Sequence, residues 1–113
     1  MPKIDRKAVY NKFGGRCAYC GYKIEFKDMQ VDHIIPKRSG GTDDMENLFP
    51  SCRTCNHYKR DNPIWLFRKW IAEIPEKLYE NQYIFKVGVK YGFFDSKVRE
   101  IKFYYEKESE VDK

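Results

Sequence analysis

Hydrophobic and polar positions change period several times along the chain, and each change marks an element. In "IDRKAVYNKFGG", Asp5 is placed to cap a first helix, Ile4 and Val9 to staple its start, and Gly14 and Gly15 to end it. Ile24 and Phe26 alternate as in a short strand. The run "VDHIIP" predicts a buried strand on Val31, Ile34 and Ile35, closed by Pro36, and the polar stretch after it predicts a loop over residues 37–44. Residues 45–51 lead into "CRTC", and "NHYKRD" predicts a helix directly behind it. Asn62 and Pro63 open another helix, with Ile64, Phe67, Trp70, Ile71 and Ile74 on one face and Pro75 as its stop. Farther on, Tyr83, Phe85, Val87, Val89 and Tyr91 alternate like a strand, while Ile84, Val87 and Tyr91 fit a helical face. Ile101, Phe103 and Tyr105 predict a strand ahead of a frayed tail, "EKESEVDK".

Two residues do not fit the apolar run that contains them. Asp32 and His33 interrupt it, and a carboxylate and an imidazole are costly to desolvate without partners. Consecutive strand residues also point to opposite faces, so the strand must bend or end here if both are to serve one cleft.

A chain of 113 residues suits one domain over 1–113 with a modest core. No apolar stretch approaches membrane-spanning length, and "MPKIDRKAVY" lacks the apolar middle of a secretion signal, so a soluble, cytoplasmic protein without membrane partners is expected. The formal charge of +5 is unevenly spread. Residues 1–72 hold 14 Lys and Arg against 8 Asp and Glu, and residues 73–113 hold 8 against 9. The basic surface therefore travels with the first two thirds, as a polyanionic partner would require.

Four cysteines without a secretion signal argue against a disulfide framework. They form two CxxC pairs, Cys17 with Cys20 and Cys52 with Cys55, with 31 residues between the inner members. Two such knuckles complete a tetrahedral sulfur shell for zinc, and a four-sulfur site keeps no open position for substrate, so this ion is structural. It closes a loop that contains the Asp32-His33 pair and Asn47.

Taken in order, "CAYC", "VDHIIP", "GG", "ENL", "CRTCN" and a following Lys resemble the HNH endonucleases, ββα-metal nucleases, here with an added four-cysteine zinc site. The resemblance covers residues 14 to 61 and implies an α+β fold: a small zinc-stapled ββα-metal core with flanking helices and a C-terminal extension over 62–113. It implies that Asp32 binds a catalytic divalent ion, that His33 is the general base, and that Asn47 is the middle signature residue. The third signature position, often His, is Asn56 here, with His57 beside it as a possible substitute ligand.

The chemistry agrees with those assignments. Phosphodiester hydrolysis needs a nucleophilic water, an acceptor for its proton, and positive charge near the phosphoryl and leaving oxygens. An imidazole titrates near about 6.5 when unperturbed, so a neutral acceptor exists at physiological pH. A carboxylate and an amide oxygen suit Mg or Mn, which prefer hard donors. His33 would be oriented by a main-chain carbonyl across the loop near Asn47. Lys37, Arg38, Arg53, Lys59 and Arg60 are the candidate contacts to a nucleic-acid backbone, with DNA the expected partner. A lone site of this size more naturally nicks, whereas cutting both strands would take a dimer, a second event or a partner protein; the sequence leaves monomer and homodimer both open. The rival reading is a non-catalytic zinc-dependent nucleic-acid-binding module, which has no need for Asp32, His33 and Asn56 together.

Overall fold

The computed structural model describes residues 3–111. They form two compact units, Met1–Ile64 with Lys102–Lys113, and Trp65–Ile101. The motif-bearing stretch lies wholly within the first.

Helix α1 (Arg6–Asn11) begins where the Asp5 carboxylate accepts a hydrogen bond from the Ala8 amide at 3.0 Å, and it buries Val9. No strand forms at Ile24 and Phe26; a single bridge pairs Arg16 with Lys23, and Phe26–Asp28 is a 3-10 turn. Local partners take the place of a second strand there: the Ile24 carbonyl accepts from the Tyr10 hydroxyl at 2.7 Å, and the Phe26 ring meets Tyr10 edge-on.

Strands β1 (Gln30–His33) and β2 (Leu48–Ser51) pair antiparallel, with Asp32 opposite Phe49 and His33 opposite Leu48. Helix α2 (Arg53–Lys59) follows at once, completing a ββα order. The connecting loop is closed at its base by the Ile34 amide, which donates to the Asn47 carbonyl at 2.8 Å. Strand β1 ends at His33, as the Asp-His pair requires.

The core of this unit joins Val9, Met29 and Leu48 to an aromatic cluster of Tyr19, Phe49, Phe103 and Tyr105. Ring centroids lie 5.1 Å apart for Tyr19 and Phe103 and 4.8 Å apart for Phe49 and Tyr105. The strand predicted at residues 101–105 is absent: α6 (Tyr104–Val111) starts there instead. Its first turn is fixed by the Glu106 carboxylate accepting from the Phe103 amide at 2.9 Å, and the Tyr104 and Tyr105 amides donate to the Tyr19 and Ala18 carbonyls. Residues 112–113 of the tail lie outside the described residues.

Helix α3 (Ile64–Ala72) carries Phe67, which is buried, Trp70, half-buried, and Trp65, which is exposed. Pro75 does not stop this helix. The break falls at Glu73, and Pro75 sits in the first turn of α4 (Ile74–Asn81), where a missing N–H leaves no bond unmade. Of the two readings for the following stretch the helix prevails, as α5 (Tyr83–Lys90). Phe85 stacks on Phe94 at 5.2 Å, and Gly88 permits it, since a Cβ there would stand 2.6 Å from the Phe94 ring. Among the described residues no helix is long and apolar enough to cross a membrane.

Candidate active site and metal centre

The four cysteine sulfurs lie within 4.8 Å of one another. An ion bonded tetrahedrally at about 2.3 Å sets its sulfurs about 3.8 Å apart. Cys20 Sγ and Cys52 Sγ stand 3.8 Å apart. Knuckle backbone supports the sulfurs: Cys52 caps α2 by accepting from the Cys55 amide at 3.3 Å. The Cys17 thiol is drawn down to about 4, first by the hydrogen bond from Cys55, whereas Cys20 is pushed up to about 11, first by burial, and Cys55 is pushed up, first by its bond to Cys17. One thiolate is thus supported by neighbours that keep their protons. A divalent cation is what lets all four ionise together, and the donor set fits zinc.

The first knuckle also reaches the Asp-His pair. Tyr19, between Cys17 and Cys20, donates its hydroxyl to Asp32 Oδ2 at 2.5 Å. From α2, Lys59 Nζ lies 3.2 Å from Asp32 Oδ1 and 3.1 Å from Oδ2, and also bonds the His33 carbonyl at 3.3 Å. Lys59 thus differs from its expected place among the nucleic-acid contacts. Its side chain is 0% exposed, because Asp32, itself 4% exposed, needs a counter-charge. Burial raises the Asp32 carboxyl above its usual range, with Tyr19 and then Lys59 opposing the rise. The Lys59 ammonium is the counter-charge on Asp32, whose two oxygens are both engaged by Lys59 and Tyr19; a carboxylate is the hard donor type that a magnesium-like ion takes.

His33 faces the loop. Its Nε2 lies 2.8 Å from Asp43 Oδ1, and Asp43 Oδ2 accepts from Lys37 Nζ at 3.1 Å. The partner is therefore a side-chain carboxylate in place of the main-chain carbonyl expected near Asn47. Asn47 shapes the loop instead. Its Oδ1 accepts from the Ile35 amide at 2.8 Å, while its Nδ2 donates to the Ile35 carbonyl at 3.1 Å and the Thr42 carbonyl at 2.8 Å. The turn packs so tightly that a Cβ on Gly41 would stand 1.7 Å from the Ile35 carbonyl oxygen. Replacing Asn47 by Ala strips three part-buried bonds from the backbone of Ile35 and Thr42. We expect a loss of about 2–4 kcal/mol in chemical denaturation, with faster hydrogen exchange at the Ile35 amide.

Asp32, His33 and Asn56 line one cleft of about 270 Å³, together with Val31, Pro36, Lys37, Arg38, Arg60 and Asp61. Arg38 Nε pairs with Asp61 at 3.0 Å. Arg60 ends α2 with φ 56°, a left-handed conformation that costs about 1 kcal/mol or more, and lines the cleft from there. His57 and Arg53 are exposed on α2 and are not among the lining residues. Neither Tyr19 nor Asp43 is singled out by the sequence pattern. Tyr19's only signal is its seat between two metal-binding cysteines, and Asp43 sits in an acidic pair that reads as loop polarity.

Residues 17–62 match the family model for HNH endonuclease. The chain is 40% identical over 55 residues to the CRISPR-associated endonuclease Cas9 of Corynebacterium diphtheriae, covering 48% of this chain and 5% of that one. It is 35% identical over 69 residues to the SPbeta prophage-derived HNH endonuclease candidate YoqL of Bacillus subtilis, covering 51% of this chain and 27% of YoqL. The crystal structure of the Type II-C Cas9 enzyme from Actinomyces naeslundii aligns with a TM-score of 0.52 and 31% identity, over 57% of this chain and 7% of that one. Each match takes in only a small part of the relative.

Proposed function

We propose that residues 17–62, which match the family model for HNH endonuclease, form a nuclease domain with which this chain nicks DNA, with His33 as general base and Asp32 and Asn56 holding a magnesium or manganese ion. The observation that carries the reading is the convergence of these three side chains on one basic cleft, inside the matched segment. His33 accepts the proton of the attacking water. Lys37, Arg38 and Arg60, all lining the cleft, draw in the phosphate without reading sequence. Asn47 holds the loop that carries His33's partner. When bound, the divalent ion supplies positive charge against the phosphoryl and leaving oxygens. Zinc on Cys17, Cys20, Cys52 and Cys55 fastens the first knuckle to the start of α2 and does no chemistry.

The test is a supercoiled-plasmid assay with zinc-loaded protein in magnesium, manganese or chelator. Metal-dependent conversion to the open circle is expected, and His33→Ala should slow it by at least about a hundredfold with zinc content unchanged. A plasmid retarded on the gel but never cut in either metal would instead assign the chain to nucleic-acid binding alone.

A further inference from the structure

His33 is held by a side chain that neither the sequence pattern nor the family signature singles out. Asp43 Oδ1 lies 2.8 Å from Nε2, and its other oxygen is taken by Lys37 at 3.1 Å. The backbone on either side of Asp43 is pinned. Asn47 holds the Thr42 carbonyl at 2.8 Å, and the Thr42 hydroxyl bonds Asp44 at 2.9 Å while accepting from the Asp44 amide at 3.3 Å. Asp43 is thus a fixed acceptor, and the Lys37 cation limits the negative charge it brings towards a phosphate.

An ionised carboxylate can only accept hydrogen bonds, so the nitrogen facing it must carry the hydrogen. A neutral imidazole has one N–H, which leaves the other nitrogen with the lone pair. Resting on the general-base role of His33, we propose that Asp43 is the positioning residue of the base: it fixes the Nε2–H tautomer, so that Nδ1 takes the proton from the attacking water. The O–H bond of the water breaks as Nδ1–H forms, and the resulting imidazolium keeps Asp43 as its counter-charge. The Asp43 carboxyl lies below its usual range, first through His33 and then Lys37, and so stays ionised at the pH of the reaction.

The chain contains two histidines, so the tautomer can be read directly by 15N-labelled imidazole NMR at pH 8, with His57→Gln assigning the signals. In the wild type, Nε2 of His33 should carry the proton and Nδ1 should not; in Asp43→Ala the two forms should mix. Asp43→Ala should lower kcat about 10- to 100-fold with KM little changed. Asp43→Asn keeps an acceptor oxygen and should restore the tautomer and most of kcat. In the His33→Ala background, Asp43→Ala should add no further loss, because it acts through the ring. A wild type that cleaves while its tautomer and kcat ignore Asp43→Ala defeats this proposal alone. A wild type inactive with either metal defeats the general-base role and this proposal with it.

Discussion

Stripping the metal from the four cysteines, by a strong chelator or by Cys52→Ser, should unfold the unit built on Met1–Ile64 and Lys102–Lys113. Structural zinc contributes about 10–16 kcal/mol of apparent binding free energy in small domains at neutral pH. Whole domains are stable by only about 5–15 kcal/mol, so losing the ion outweighs what packing supplies. The fold concentrates this dependence. Cys17 and Cys20 precede β1, and Cys52 caps α2, so the ion ties together the two segments that bear on Asp32, Tyr19 from one side and Lys59 from the other. Far-ultraviolet circular dichroism and amide NMR should show collapse on chelation and recovery with added zinc. A native spectrum persisting in metal-free protein would mean that the aromatic cluster suffices and the cysteines are dispensable.

Replacing Lys59 by Met should cost about 3–5 kcal/mol, because it leaves the Asp32 carboxylate buried without a counter-charge. The double variant Asp32→Leu with Lys59→Met should recover much of that loss, although the Tyr19 hydroxyl then needs a new partner. The pH dependence has a definite sign. Asp32's folded value is raised above its unfolded 3.8, so its contribution is present below 3.8 and is lost as pH rises through the folded value. Taking Lys59 away raises that value further. The Lys59→Met penalty should therefore grow as pH rises above 3.8, measured as the difference from wild type in urea melts of zinc-loaded protein without magnesium across the pH range in which the zinc-loaded fold is intact. A penalty independent of pH would show that the lost interaction is packing of the lysine stem and not charge.

The sequence by itself determined those parts of the molecule whose cause is local. Two CxxC knuckles carry their geometry within four residues each, the Asp5 cap bonds an amide three residues on, and the Gly-Gly turn with Asn47 closes a loop on its own backbone. The pairing of Asp32 and His33 inside an apolar run likewise declared that partners had to be supplied there, since neither group is desolvated cheaply without one. Tertiary structure decided what depends on partners far along the chain. Residues 101–105 alternate like a strand, but no strand lies beside them; the Tyr19 and Ala18 carbonyls and the Glu106 carboxylate take their amides, and a helix starts. Lys59 reads as one more surface charge until folding brings it 27 residues back onto Asp32. Tyr19 and Asp43 are ordinary loop residues until the cysteine knuckle and the clamped turn aim them at Asp32 and His33. Period and composition report which face of an element is apolar, but they are silent on which hydrogen bond a distant carboxylate will accept.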